Sequence, residues 1–325
     1  MTDRRPTVTA AVAAFDRHVP LFLGAVAEHS DFRVEWLDVG MTAPGRHGLR
    51  RHARMLHEQE FDVAEVSLSS YIMARRRGAP FTAAPVFPRR LFTPPCLYVP
   101  AASPVRHPSE LAGGSIAIRA FQVTLSVQAK GDLQRDYGLP WRDIHWFTRE
   151  SETIPWAGAE GVRVDPIPDG WTIADMMATG DLNAMIDPFP PPALLAEGVI
   201  RPLFADSLSE SADYFTRRGY FPIMHVMAIR EDSIARHPAL GTYLVEAWEE
   251  AKRIAAKAYD DPAYTLFPAL AAELQERMRR FGSDPWPSGL AANLANLRDF
   301  IADMVDQRLI DAPFDPAELF HPSTL

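Results

Sequence analysis

The chain has a single cysteine, Cys96, so no intrachain disulfide can form. Cys96 lies in the apolar run TPPCLYV, where a thiol reads as a small buried residue rather than a nucleophile. Lysine is almost as scarce. Lys130, Lys252 and Lys257 are the only three, so 30 of the 33 basic residues are arginine. An oxyanion site in this chain is therefore expected to use arginine forks rather than lysine point charges. Positive charge is also in deficit overall, with 42 acidic residues against 33 basic and a net charge of −9. That balance argues against nucleic acid as a partner, because phosphate binding needs a basic field. No apolar run approaches the 18 residues of a membrane span. Arg4-Arg5 and the apolar stretch Val8–Ala14 imitate a signal peptide, but Asp16 and Arg17 end the stretch too soon for a secretory core. A cytoplasmic protein with no membrane partner is expected.

Catalytic and metal signatures are missing as well. No HExxH, CxxC or metal triad occurs, and neither a metal nor an organic cofactor is expected. His47, His52 and His57 are spaced by five residues, a rotation of about 140° per step on a helix, so they share no face. Ser67, Ser69 and Ser70 do not form a G-x-S-x-G nucleophile elbow. Trp248 and Trp286, with the Leu/Ala periodicity of the C-terminal region, read as core.

What is present is a long α/β pattern. At 325 residues and 47% hydrophobic composition, the chain suits two lobes better than one core. TVTAAVA, FRVEWLDV and FDVAEVSL read as strands separated by helices, one running to about His29, one from Arg46 to Gln59 and one opening at Ser69-Ser70. A second unit starts near Ser103. It contains SIAI, a helix from about Gln122 to Tyr137, DIHWFT, and the helix TIADMMATG stopped by Gly180. Pro188, Pro190, Pro191 and Pro192 follow the strand DLNAMID and forbid regular pairing there. FPIMHVMAIR returns as an apolar strand, and helices fill the C-terminal part. The expected lobes are 1–102 with 223–325, and 103–222. Ligands of such sheets sit at the carboxyl ends of strands, near helix N-termini. Four loops occupy such positions: Phe15–His18, Ser67–Tyr71, Phe121–Thr124, which contains Gln122 and Thr124, and Asp187–Phe189.

The segments FDVAEVSLSSYIMARRRGAPFTAAPVFPRRLF and GYFPIMHVMAIR resemble the 4,5-dihydroxyphthalate decarboxylase family, and the order of the other elements agrees over nearly the whole chain. The resemblance implies a two-lobed type II periplasmic-binding-protein-like fold, with a cleft between the lobes and C-terminal helices. It implies a small aromatic carboxylate as substrate and leaves homo-oligomerisation open. Asp16 and Arg17 match the family's opening loop, Ser67, Ser69 and Ser70 its serine-rich turn, Arg89 and Arg90 its FP-x-R region, and His225 the histidine of FPIMH. After Asp187 many members carry an arginine where this chain has Phe189, which removes one carboxylate clamp.

Loss of CO2 from an aromatic ring needs a way round the aryl anion. A hydroxyl ortho or para to the carboxylate supplies electrons, the ring carbon is protonated, and CO2 leaves as aromaticity returns. The site then needs an anion clamp, a partner for the phenol and an acid for the ring carbon. Arg89 or Arg90 is the expected clamp, since adjacent residues of a strand face opposite ways. Asp16 is the expected phenol base and His225 the expected acid. Cofactor-independent decarboxylation of a hydroxylated benzoate- or phthalate-like acid is the first reading. A non-catalytic solute- or metabolite-binding protein of the same fold, or another lyase or hydrolase reaction on a cyclic acid, is the alternative.

Overall fold

A computed structural model of the chain describes residues 4–41, 43–261 and 263–325. The chain divides into two compact units: Met1–Arg90 with Ile223–Leu294 and Phe314–Leu325, and Leu91–Pro222 with Ala295–Pro313. Among the described residues the strands are β1 (Thr7–Val12), β2 (Arg33–Asp38), β3 (Val63–Ser67), β4 (Phe81–Ala84), β5 (Leu97–Pro100), β6 (Ser115–Ile118), β7 (His145–Thr148), β8 (Val164–Pro166), β9 (Ala184–Ile186), β10 (Ile200–Pro202) and β11 (His225–Arg230). No helix among the described residues is long and apolar enough to cross a membrane.

In the first unit the sheet order is β2-β1-β3-β11-β4. β1 runs parallel to β2 and β3, whereas β11 is antiparallel to both β3 and β4. β3 is buried along its whole length and β11 is buried up to Ile229, which is why both read as largely apolar runs, each broken by one polar residue, Glu65 or His225. One face packs against the helix Leu240–Ala258. That helix presents Leu240, Tyr243, Leu244, Ala247, Trp248, Ala251 and Ala255 at three- and four-residue spacing and turns Glu246 and Arg253 to solvent. Val12, Val63, Ala84, Met227 and Ile229 meet this stripe in one core.

The second unit has the sheet order β10-β5-β9-β6-β7-β8. β6, β7, β8 and β9 run parallel, and β5 is antiparallel to β9 and β10. The helix Thr124–Tyr137 is buried over its first ten residues, and the helix Ile173–Thr179 opens on a Thr172/Asp175 capping box.

Several local expectations give way to specific physical causes. The first helix covers only Val19–Phe22, because Gly24 turns with a φ of +65°. The arginine-rich helix covers only Arg51–Leu56. A loop precedes it in which a Cβ on Gly45 would lie 2.4 Å from the Asp38 carbonyl oxygen, so that approach is open only to glycine. The strand within FPIMHVMAIR starts at His225, after an isolated bridge between Ile223 and Arg90. Residues 91–102 pack with the second unit because β5 is hydrogen-bonded to β9 and β10. Residues 295–313 do likewise, with Trp141 Nε1 donating to Asp306 Oδ2 at 2.7 Å.

Candidate functional site

In the first unit the parallel strands β1 and β3 end on the same edge of the sheet, and antiparallel β11 begins there, with His225 opposite Ser67. This edge gathers the chemistry. Glu65 lies in β3 two residues before Ser67 and is 0% exposed. A carboxylate there has no water to solvate it, so partners must compensate. Arg51, the first residue of its helix and 1% exposed, is the main one. Its Nη2 lies 2.9 Å from Glu65 Oε2, its Nε donates to the Glu65 carbonyl at 2.8 Å, and its Nη1 donates to the Val39 carbonyl. The other carboxylate oxygen, Oε1, lies 2.5 Å from His225 Nδ1. Burial alone would raise the Glu65 carboxyl, but the Arg51 guanidinium and the His225 contact outweigh it and hold the group well below the usual range.

His225 goes the other way. Burial disfavours its charged form, and Arg89 and Arg51 repel a further proton, so it falls to about 4 despite the pull of Glu65. The pair at neutral pH is thus a carboxylate and a neutral imidazole. A carboxylate only accepts, so Nδ1 carries the hydrogen. Nε2 has no protein partner among the described residues and is not enclosed, which leaves it as the ring's accessible nitrogen. The acid expected from the sequence therefore rests unprotonated. His52 meets the imidazole edge-on, with ring centroids 4.8 Å apart. His18 is a different kind of histidine. Its Nδ1 faces the Ala13 carbonyl at 2.6 Å, its ring packs on Trp248, and its Nε2 is sealed in.

The other expected residues of this unit fall around the cluster or away from it. Arg17 donates from Nε to the Pro88 carbonyl at 2.8 Å and lies over the Phe15 and Trp286 rings. Asp16 is half exposed. Its Oδ2 accepts from the Tyr259 hydroxyl at 2.6 Å and its Oδ1 from the Arg17 backbone at 2.8 Å. Burial raises the Asp16 carboxyl, but Tyr259 and Arg17 together bring it below its usual value, which makes it a hydrogen-bond acceptor more than a base. Ser67 and Ser69 share a hydrogen bond of 3.2 Å at the start of the helix Leu68–Arg76, with Ser70 buried beside them. Arg89 and Arg90 part company as neighbours on an extended chain do. The charge of Arg89 is felt at His225, Arg51 and Arg17. Arg90 is buried, donates to the Pro287 carbonyl at 3.0 Å and to Asn293, and is pushed down to about 9 by burial.

The second unit holds the remaining four. Gln122 ties down a loop, donating to the Ile154 carbonyl at 2.6 Å and accepting from its amide at 2.9 Å. Thr124 is the buried first residue of its helix. Asp187 pairs with Arg149 at 2.5 Å and accepts from the Phe189 amide at 2.8 Å, while the Phe189 side chain is 59% exposed. Arg149 thus brings a guanidinium to the acid that lacks a nearby arginine in sequence. No group of three or more His, Cys, Asp or Glu among the described residues is arranged to hold a metal ion. A groove of about 520 Å³ in this unit is lined by Gly114, His145, Arg163 and Trp171, at the opposite ends of the strands from these loops, and includes none of the expected residues.

Glu65, Arg51, Tyr259 and Arg149 are the residues that sequence reasoning passed over. Only Glu65 carried a signal, as the one charged side chain inside an apolar strand.

No protein-family model matches the chain. It is 32% identical over 282 residues to 4,5-dihydroxyphthalate decarboxylase of Comamonas testosteroni, covering 84% of this chain and 86% of that protein. It is 28% identical over 176 residues to the Pseudomonas putida protein of the same name, covering 51% and 68%. Among solved structures it resembles the periplasmic sulfonate-binding protein SsuA of Methylobacillus flagellatus KT, at a TM-score of 0.63 and 14% identity over 99% of this chain and 93% of that one. It also resembles a mutant of DSZB in complex with biphenyl-2-sulfinic acid, at 0.56 and 18% over 98% and 97%. The two mixed sheets, with helices following the return strand, make this a protein of the periplasmic-binding-protein fold class. The chain belongs to the 4,5-dihydroxyphthalate decarboxylase family, and is an enzyme of the carboxy-lyase class.

Proposed function

We propose that this protein decarboxylates a hydroxylated aromatic acid of the phthalate or benzoate type, with His225 carrying the proton to the ring. The observation that supports this reading is a neutral imidazole with one accessible nitrogen, held among arginines on the edge where β1 and β3 end. Arginine forks suit a carboxylate, and Arg89 is the clamp in this reading. Arrival of a carboxylate also changes the proton balance. A negative charge beside His225 opposes the repulsion from Arg89 and Arg51, so the ring takes up a proton as the substrate binds. It then delivers that proton to the carbon bearing the departing carboxylate. The phenol oxygen supplies the electron pair, the carbon–carboxylate bond breaks toward the ring, CO2 leaves, and the ring keeps one new C–H bond. Asp16, already polarised by Tyr259 and Arg17, accepts the hydrogen bond of the phenol hydroxyl. The substrate supplies its own electron source, so the reaction calls for no electron sink from a cofactor.

The test is a panel of hydroxylated benzoates and phthalates, following CO2 release and ring absorbance. Acids with an ortho or para hydroxyl should turn over, and in D2O each product should carry one deuterium at the vacated position. Tight binding across the panel without CO2 release would overturn the reading in favour of a binding protein.

A further inference from the structure

We propose that Glu65, braced by Arg51, is a positioning residue that holds His225 as its Nδ1–H tautomer and so presents Nε2 to the substrate. This inference rests on the reading of His225 as the proton carrier. The β3–β11 register supplies the geometry. His225 pairs with Ser67 and Met227 with Glu65, so Glu65 and His225 are diagonal neighbours on one face of the sheet. Diagonal neighbours lie within reach of long side chains, and here the carboxylate and imidazole meet at 2.5 Å. Arg51 fixes the far side of the carboxylate. Its guanidinium is itself anchored on the Val39 and Glu65 carbonyls, so it cannot follow a displaced carboxylate without losing those bonds. The Ala13 amide adds a long contact to Oε2 at 3.4 Å. The Oε1 atom is left with His225 as its one partner among the described residues.

The same arrangement dictates what Glu65→Gln does. Arg51 has only N–H groups to offer, so the amide must turn its oxygen toward Arg51. Its NH2 group then faces His225 Nδ1, which must accept. The imidazole proton moves to Nε2, and the nitrogen presented to the substrate changes from acceptor to donor. Shape and hydrogen-bond count are nearly kept, while the tautomer is inverted.

Ring 15N shifts of the labelled full-length protein at pH 7.5 read the tautomer directly, with the His225 signals assigned by their loss in His225→Gln. The wild type should show the Nδ1–H form and Glu65→Gln the Nε2–H form. Turnover of Glu65→Gln should fall by on the order of 10²–10⁴-fold with the substrate Kd nearly unchanged, as for other catalytic imidazoles left in the wrong tautomer. Glu65→Asp keeps the acceptor and should retain the wild-type tautomer and part of the rate. A wild-type His225 in the Nε2–H form overturns the proposal, and this reading survives even if Glu65→Gln fails to fold. So does a flipped tautomer with unchanged turnover. A fully active His225→Gln instead removes the proton-carrier reading itself, whereas an inactive His225→Gln beside an active Glu65→Gln removes only the role of Glu65.

Discussion

One cluster in each unit buries carboxylates, and the two clusters do so in opposite ways. In the first, one acid, Glu65, is matched by one guanidinium, Arg51, and its second oxygen is spent on a histidine whose other nitrogen stays accessible. In the second, Asp132, Asp136 and Asp303 share Arg135 and Arg218. Gln128, Tyr214 and Thr93 donate to Asp132 at 2.9, 3.2 and 2.7 Å, and Asp303 presses on Gly131, where a Cβ would meet its Oδ2 at 2.1 Å. With acids outnumbering cations, burial wins: Asp132 is pushed up to about 6 and Asp303 to about 7. The first cluster ends on His225, the group that exchanges a proton with the substrate in the proposed reaction. The second closes on protein and joins the helix Thr124–Tyr137 to the end of the helix Leu290–Asp306. Charge at the bottom of a fold is therefore not a functional sign in itself. What separates the two is whether the network ends on an accessible titratable atom.

The largest test of this contrast is His225→Gln. Removing the proposed proton carrier should lower turnover by about 10²–10⁴-fold, with the substrate dissociation constant and melting temperature close to wild type. A large loss of stability with normal activity in the surviving folded protein would move the first cluster into the same structural class as the second. Next comes Arg51→Met. It strands the Glu65 carboxylate, and breaking a buried pair from one side costs about 3–5 kcal/mol, measurable by denaturant unfolding. A smaller effect is expected at Arg89→Ala, which should weaken substrate binding by about 1.5–3 kcal/mol, measured by calorimetry. Arg90→Ala should instead lower stability and leave binding little changed, since Arg90 is spent on Pro287 and Asn293.

Much of this contrast lay beyond the sequence, for reasons visible in particular residues. The β3 and β11 runs were legible because strands covered on both faces are apolar along most of their length. His225 stood out as the polar residue interrupting one of them. Glu65 interrupts the other in the same way, but its significance depends on a register joining residues 160 positions apart, which periodicity does not encode. Arg51 sits in an arginine- and histidine-rich stretch that reads as solvated, and only the tertiary fold buries it. Residues 91–102 and 295–313 carry apolar runs equally suited to either unit, and strand pairing and the Trp141–Asp306 bond place them in the second. Arg149 reaches Asp187 from a separate strand end, so no local motif announces the pair.

The finest test is that the two clusters give opposite pH slopes of local stability. In the first unit, His225 and His18 fall from 6.5 to about 4 on folding, so between those values the unfolded chain binds more protons than the native one. Stability from these groups rises with pH over that window and is lost as pH falls through it. Glu65 adds to this, because its depressed carboxyl stabilises above the unfolded value of 4.5 and loses that stabilisation as pH falls through its folded value. In the second unit, Asp132 and Asp303 rise from 3.8 to about 6 and about 7, so here the native state binds more protons. Their contribution is greatest below about 4 and declines as pH rises toward 7. Hydrogen exchange of the full-length protein at pH 5 and pH 7.5, corrected for the intrinsic pH dependence of exchange, reads the two regions side by side. Amides of β3 and β11 should gain protection on going to pH 7.5, and those of the helix Thr124–Tyr137 should lose it. Asp132→Asn should lessen the second slope, with Asp303 keeping its own share, and leave the first untouched, because an amide cannot ionise and the Thr93 hydroxyl can accept from it as readily as it donates to the acid. At pH 5 the mutant should match the wild type, whose Asp132 is then largely protonated. At pH 7.5 it should be the more stable by on the order of 1–2 kcal/mol. Parallel slopes in the two regions would mean that acids and cations are better balanced in the second cluster than its three carboxylates and two guanidinium groups imply, and the contrast between the units would reduce to the accessibility of His225 alone.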